Sequence, residues 1–257
     1  MKVTIGSLFS GIGGFELGAQ RAFDKAGIEH KILWQCEKDK YCQSILKKHW
    51  PNTTIYDDIK KMNKNNTMRP DIMMGGFPCQ DISMQNIKGE GIHGKRSSLW
   101  FEYRRLISEL RPRIAVLENV AALRFRGLRE VLGSIAQIGY NAEWQVVSAA
   151  QLGAPHKRER IFIVCTPNTG VPRLWNETTL PLQMEKNIMS YSGGRKIDGG
   201  NTGNHWEKFN TESPLCRRDD GVSPQLAQLK ALGNAIVPQV SEFIFDHIAA
   251  MIINQKG

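Results

Sequence analysis

Cys79 closes the stretch Gly75-Gly76-Phe77-Pro78-Cys79, after a glycine pair and a proline. A thiol on such a loop is exposed and rigidly aimed, and a nucleophilic cysteine needs access and a setting that favours its thiolate. A structural thiol is the alternative; those sit inside apolar runs, as Cys36 and Cys165 do. Glu118 follows the apolar run Ile114–Leu117 and precedes Asn119. A carboxyl buried there has a raised pKa and can donate a proton near neutral pH, unless the pair only caps a following helix. Upstream, Ser10-Gly11-Ile12-Gly13-Gly14 follows the first apolar run, Glu37 the second and Asp57-Asp58 the third. Glycines let a backbone approach a ligand, and a carboxylate ending the second strand accepts hydrogen bonds from ribose hydroxyls. That combination suits a nucleoside cofactor, or else the glycines form a plain tight turn. The third glycine of G-x-G-x-x-G is missing, which disfavours a dinucleotide.

These groups meet only if the apolar runs are neighbouring strands. Val3–Phe9, Ile32–Cys36, Thr53–Tyr56, Asp71–Met74 and Ile114–Leu117 read as strands. Helical patterns separate them: from the glycines to about Ala26 with Phe15, Ala19, Ala22 and Phe23 on one face, then Tyr41–His49. A third helix, Ser98–Leu110, turns Leu99, Tyr103, Leu106 and Leu110 inward. The alternation predicts an α/β fold with a parallel sheet, helices on both faces, and ligands at the carboxyl ends of the strands. Glu143–Ala149 and Arg160–Cys165 then read as two strands joined by a short Gly-Ala-Pro loop, an antiparallel pair finishing the sheet. A last helix, Gln239–Ile253, carries Val240, Phe243, Ile244, Ile248, Met251 and Ile252 and is expected to pack back on this domain.

Between them, residues 166–223 lose periodicity. Gly193-Gly194, Gly199-Gly200 and Gly203 argue against a large core, while Arg173, Trp175, Arg195, Lys196, Trp206, Lys208, Arg217 and Arg218 mix basic with aromatic residues. Such a mixture suits phosphates and bases, or an ordinary solvated insertion. The expected division is therefore a catalytic domain over 1–165, a small irregular recognition segment over 166–223, and a returning motif and helix over 224–257. The 34 basic and 25 acidic residues give a formal net charge of +9, which favours a polyanionic partner. Five cysteines with no C-x-x-C pair argue against a zinc ribbon or a disulfide framework. The N-terminus does not read as a signal peptide, and no run approaches the roughly 18 apolar residues of a membrane helix. A reduced, cytoplasmic location with no metal and no membrane follows as the expectation.

Taken together these residues resemble the DNA cytosine carbon-5 methyltransferases, of the small bacterial or phage type. Leu8-Phe9-Ser10-Gly11-Ile12-Gly13-Gly14 is similar to that family's cofactor-binding opening and Gly75–Gln80 to its nucleophile loop. Glu118-Asn119-Val120 is similar to its acidic tripeptide, Pro155–Arg160 to its arginine motif and Gly233–Pro238 to its closing signature. The five occur in the family's order. The resemblance implies a Rossmann-like methyltransferase fold and S-adenosylmethionine, with Phe9, Gly11, Gly13, Glu37, Asp58, Ile59, Pro78, Leu99 and Asn234 at the cofactor. It implies that Cys79 is the nucleophile, that Glu118 bonds ring nitrogen 3, and that Arg158 and Arg160 steady the cytosine and Cys79. His156 stands where the arginine motif normally begins with Gln, Asp57 replaces the glycine usual before Asp58, and the recognition segment is short for the family.

The implied reaction is methyl transfer to carbon 5 of a cytosine flipped out of duplex DNA, as in restriction-modification, by a monomeric enzyme. Gln85–Ser98, with Gly89, Gly91 and Gly94 beside Lys88, Lys95 and Arg96, would be the loop closing over DNA, or a mobile surface loop. Competing readings are a tRNA methyltransferase on the same scaffold, a binding protein without catalysis, and a nicotinamide-dependent oxidoreductase.

Overall fold

The computed structural model describes residues 2–78, 98–154, 156–168, 228 and 231–254. Cys79, Cys216, the 85–97 stretch and nearly all of the 166–223 segment lie outside the described residues. Seven strands form one sheet: β1 Val3–Leu8, β2 His30–Cys36, β3 Thr54–Tyr56, β4 Ile72–Gly76, β5 Ile114–Val120, β6 Tyr140–Ser148 and β7 Glu159–Pro167. Their order is β3-β2-β1-β4-β5-β7-β6. The first five pair in parallel, and β7 pairs antiparallel with both β5 and β6. The expected mixed sheet is thus observed. The strand order reverses between β1 and β4, which opens a crevice at their carboxyl ends.

Helices α1 Gly14–Lys25, α2 Lys40–His49 and α3 Ser98–Leu110 fall where the apolar spacing places them. Asp39 caps α2, its carboxylate accepting from the backbone N–H groups of Tyr41 and Cys42. Two helices between β5 and β6 add to the expected order: a single turn, α4 Leu123–Arg126, and α5 Leu128–Gln137. Leu128, Val131 and Ile135 make the buried face of α5. The β6–β7 connection is longer than a Gly-Ala-Pro loop, because Ala149–Leu152 forms a 3₁₀ turn closed by a Ser148–Gln151 capping box. The last helix, α6, spans Pro238–Asn254.

The sheet buries a core on each face. On one, α3 and α5 bring Trp100, Tyr103, Leu106, Val131 and Ile135 against Leu8, Met73, Leu117 and Ile163. On the other, α1 and α6 pack Phe15, Phe23, Phe243 and Phe245 against Ile5, Val116 and Phe162. Phe15 meets Phe162 and Phe245 edge-on at 6.1 and 6.0 Å, and Phe23 meets Phe245 at 5.6 Å. Each such pair contributes about 1 kcal/mol beyond its buried area.

By length and composition Ala231–Asn254 is apolar enough to cross a membrane, with mean hydropathy 1.4. The count of consecutive apolar residues misses this, because Ser241, Glu242, Asp246 and His247 interrupt the run. Half of that stretch is buried inside the fold, as the core helix beside α1.

Small residues let α1 and α6 approach. A Cβ on Gly18 would lie 2.5 Å from the Pro238 carbonyl oxygen, and one on Gly14 would lie 2.2 Å from that of Ile236. Ser241 Oγ donates to the Phe15 carbonyl at 3.0 Å across the same seam. Glu16, on the first turn of α1, is fully buried and accepts from Gln35 Nε2 at 3.0 Å. Burial pushes its carboxyl above the usual range, against the pull of its hydrogen bonds.

Two expectations follow from this packing. Gly18→Ala should destabilise the fold by about 1–3 kcal/mol despite its better helix propensity, lowering Tm by several degrees; an unchanged Tm in thermal unfolding would mean that the two helices part at no cost. The raised pKa of Glu16 means that the folded chain keeps a proton which the unfolded chain releases above about pH 4.3. Stability from this group is therefore full in acid and declines as pH rises. Across that rise, Tm of Glu16→Gln should fall less steeply than that of the parent; parallel curves would remove Glu16 as a source of pH dependence.

Candidate active site

The reactive groups of the described residues do converge on the carboxyl edge of the sheet. The chain leaves β1 through Phe9 and Gly11, both left-handed with φ of 54° and 55°. That conformation is costly for a phenylalanine and collects at functional sites. Gly13, at φ 88°, lets α1 begin while Trp50 packs over its missing side chain. Glu37 follows β2 and pins this turn: its carboxylate accepts the Gly11 N–H at 2.8 Å and the Asp39 N–H at 2.8 Å. Each carboxylate oxygen keeps acceptor capacity for a further donor.

Asp58, past β3, caps a 3₁₀ turn over Ile59–Lys61 through the Lys60 N–H at 3.0 Å, with Ile59 buried beneath. Phe9 and Leu99 lie against the core face built by α3, where the Phe9 ring is 6.3 Å from that of Tyr103. Asn234 joins Phe9, Gly11, Gly76, Glu118 and Ile236 around a cavity of about 40 Å³ between the ends of β1 and β4. A wider groove of about 650 Å³ lies across the closing segment, lined by Leu17, Trp50, His156, Arg158, Leu232 and Val237. His156, the departure from the arginine motif, is exposed there.

Glu118 and Asn119 lie inside β5 rather than beyond it, because the ladder with β7 carries the strand on to Val120. Glu118 is therefore paired on both sides, with Gly76 of β4 and Phe162 of β7, and Asn119 with Ile161 of β7. Val120 faces Arg160 in the register, so Arg160 shares the sheet face of Glu118. Its Nε donates to Glu118 Oε1 at 2.9 Å. Burial pushes the Glu118 carboxyl above the ordinary carboxylate range, while the charges of Arg160 and Arg158 oppose the shift. Gly76 makes room for this carboxyl, since a Cβ there would lie 2.5 Å from Glu118 Oε2.

Asn119 caps no helix. Its Nδ2 donates to the Phe77 carbonyl at 3.2 Å, fixing the backbone just before Pro78 and Cys79. Phe77 is itself buried, 5.2 Å from the Trp100 ring. The anchor of the Cys79 loop is thus tied to the residue next to Glu118. Only the partner's position could reveal this role, because an Asn after a Glu carries no such signal in sequence.

Arg158 turns elsewhere. At φ 31° it directs its guanidinium to the Gly233 carbonyl at 3.0 and 3.1 Å and to the Ala235 carbonyl at 2.6 Å. It clasps the segment that carries Asn234, while Arg160 meets Glu118. The three described cysteines, Cys36, Cys42 and Cys165, are buried thiols. Burial pushes the Cys36 thiol up to about 12 and that of Cys165 higher still. A thiol so protonated is a poor nucleophile, in keeping with the structural reading of Cys36 and Cys165.

Residues 3–215 match the family described as C-5 cytosine-specific DNA methylase. Over 243 residues the chain is 30% identical to the Type II methyltransferase M.BsuFI of Bacillus subtilis, covering 90% of this chain and 54% of that protein. It is 33% identical over 169 residues to the Type II methyltransferase M.NgoFVII of Neisseria gonorrhoeae, covering 63% and 43%. The chain spans about half the length of these curated relatives. Among solved structures, the Entamoeba histolytica methyltransferase EhMeth matches with TM-score 0.66 at 14% identity, over 100% of this chain and 99% of that one. The S. pombe Dnmt2 methyltransferase matches with TM-score 0.63 at 13% identity over the whole of both chains. At such identity these two likenesses speak for the fold alone, a methyltransferase α/β sheet. The matched family covers the glycine turn, the Glu118 strand and the arginine motif together, and the chain belongs to the C-5 cytosine-specific DNA methylases.

Proposed function

We propose that this protein transfers a methyl group from S-adenosylmethionine to carbon 5 of a flipped-out cytosine in duplex DNA, through a covalent adduct with Cys79. The observation that carries the reading is the buried Glu118, 2.9 Å from Arg160 and one residue from the asparagine that anchors the Cys79 loop. The described residues also fit the cofactor. Glu37 is held by the Gly11 and Asp39 amides with acceptor capacity to spare for ribose hydroxyls, and Phe9, Gly13, Asp58, Ile59, Pro78, Leu99 and Asn234 are the other residues we assign to the cofactor. When bound, S-adenosylmethionine supplies an electrophilic methyl on a sulfonium.

The chemistry asks the protein to make carbon 5 nucleophilic. The Cys79 thiolate adds to carbon 6, forming a carbon–sulfur bond and pushing the ring electrons toward nitrogen 3. Glu118, whose carboxyl burial pushes above the ordinary range, places a proton at nitrogen 3 and stabilises the enamine that results. Arg160, already donating to Glu118, sets that carboxyl's orientation and offsets charge on the cytosine carbonyl oxygen. Carbon 5 then takes the methyl group. Loss of the carbon 5 proton to solvent restores the double bond and expels the Cys79 thiolate, and the proton at nitrogen 3 returns to Glu118. Arg158 serves by holding the Gly233–Ala235 carbonyls, which keeps Asn234 beside the cavity. A base stacked in a duplex cannot reach these groups, so the cytosine must leave the helix.

The first experiment is transfer of labelled methyl from S-adenosylmethionine to mixed-sequence duplex DNA, with tRNA assayed in parallel. Label should appear as 5-methylcytosine in DNA and vanish with Cys79→Ala; label on tRNA alone would overturn the DNA assignment. Glu118→Gln should lower the transfer rate by about a hundredfold or more, the scale of a lost general acid, with little change in DNA affinity. A rate equal to the parent's would take Glu118 out of the mechanism.

A further inference from the structure

At the end of β5 the chain makes the single helical turn α4 and then α5. Leu123 is fully buried, and residues two apart on a helix point to nearly opposite sides, so Phe125 must face outward. It is 81% exposed, well beyond the 37–55% of the other exposed large apolar side chains among the described residues. An aromatic ring left in water forfeits a hydrophobic gain that a partner would recover. Basic residues flank it in sequence. Arg124 lies with its guanidinium carbon 5.1 Å from the Phe125 ring centre and is steadied by the Ala121 carbonyl at 3.4 Å. Arg126 and Arg129 follow, and Glu130 is the one acidic residue among 121–130.

The position matters as much as the composition. Phe125 is seven residues beyond Glu118, so the two lie at most about 25 Å apart along the chain. That is less than the roughly 34 Å of one DNA turn. A duplex presenting a base to Glu118 therefore runs within reach of this surface. Backbone bonds from Arg124 and Phe125 N–H to the Ala121 and Ala122 carbonyls hold the turn in place. Trp100 Nε1 of α3 donates to Ser134 Oγ of α5 at 3.2 Å, which ties α5 to the core.

We infer that α4 and the start of α5 form a DNA-contacting surface beside the active-site edge. Phe125 is its apolar wedge against the bases, and Arg124, Arg126 and Arg129 take phosphates. The inference rests on the DNA methyltransferase reading and adds a contact region separate from the 166–223 segment. Apolar side chains that press between base steps commonly work with flanking arginines, and each phosphate contact adds about one unit to the salt dependence of binding.

The test uses the full chain and a labelled duplex with one mismatched cytosine, whose unstacking is already cheap. Binding is read by fluorescence anisotropy across a salt series. Phe125→Ala should weaken binding roughly tenfold with Tm and cofactor affinity unchanged, the scale of one lost ring–base contact. Arg124→Gln with Arg129→Gln should lower the slope of log affinity against log salt by about one to two units. Affinity and slope within twofold of the parent for both variants would overturn the inference, as would a large Tm loss in Phe125→Ala, which would mean that the ring covers the chain's own surface. Equal losses on tRNA with none on DNA would assign the surface to another nucleic acid and overturn it as well. A parent that binds duplex DNA through these residues but transfers no methyl would sink the enzymatic reading and leave the surface standing.

Discussion

Glu118 sits near the middle of a seven-stranded sheet, where water is scarce and an unpartnered carboxylate would be expensive. The antiparallel β7 resolves this by bringing Arg160 to the same sheet face at 2.9 Å. Much else depends on that ladder. It carries β5 three residues further than its apolar run, so that Glu118 is paired on both sides and Asn119 is paired with β7. It also requires Gly76 on the neighbouring strand, since any side chain there would occupy the space of the carboxyl. Burial pushes this carboxyl above the ordinary carboxylate range, while the charge of Arg160 opposes the shift and keeps the group in place.

Around this pair the active-site edge is assembled by carbonyls and amides more than by side chains reaching into solvent. Glu37 uses both carboxylate oxygens on backbone N–H groups of the turns after β1 and β2. Asn119 holds a carbonyl at the entrance to the Cys79 loop, and Arg158 holds two carbonyls of the closing segment. Each is a polar side chain fixing the backbone of a loop that no regular ladder supports. Two of the loop residues, Phe9 and Arg158, adopt left-handed conformations that only such bracing sustains.

The glycines after β1 serve two purposes. Gly11 and Gly13 permit the turn that the Glu37 carboxylate grips, while Gly14 and Gly18 lie under the closing segment and α6. This second use ties the two ends of the chain together. The Gly233–Pro238 segment reaches the cavity at the ends of β1 and β4 because α6 is seated against α1, and α1 is seated there because its glycines offer no obstacle.

The order of strands and helices was legible because their periodicities are strong: runs such as Ile114–Leu117 and the α3 pattern are local properties of the chain. So was the gathering of the glycine turn, Glu37, Asp58 and Glu118 on one edge, since parallel strands all deliver their carboxyl ends to the same side. The partners were not legible. Arg160 rather than Arg158 meets Glu118, and Asn119 holds Phe77 instead of capping a helix. Each of these depends on register across the sheet or on packing between distant segments. Local pattern determines which elements form and which way they face; contacts separated by tens or hundreds of residues exist only once the sheet has closed, and they decide what each side chain touches.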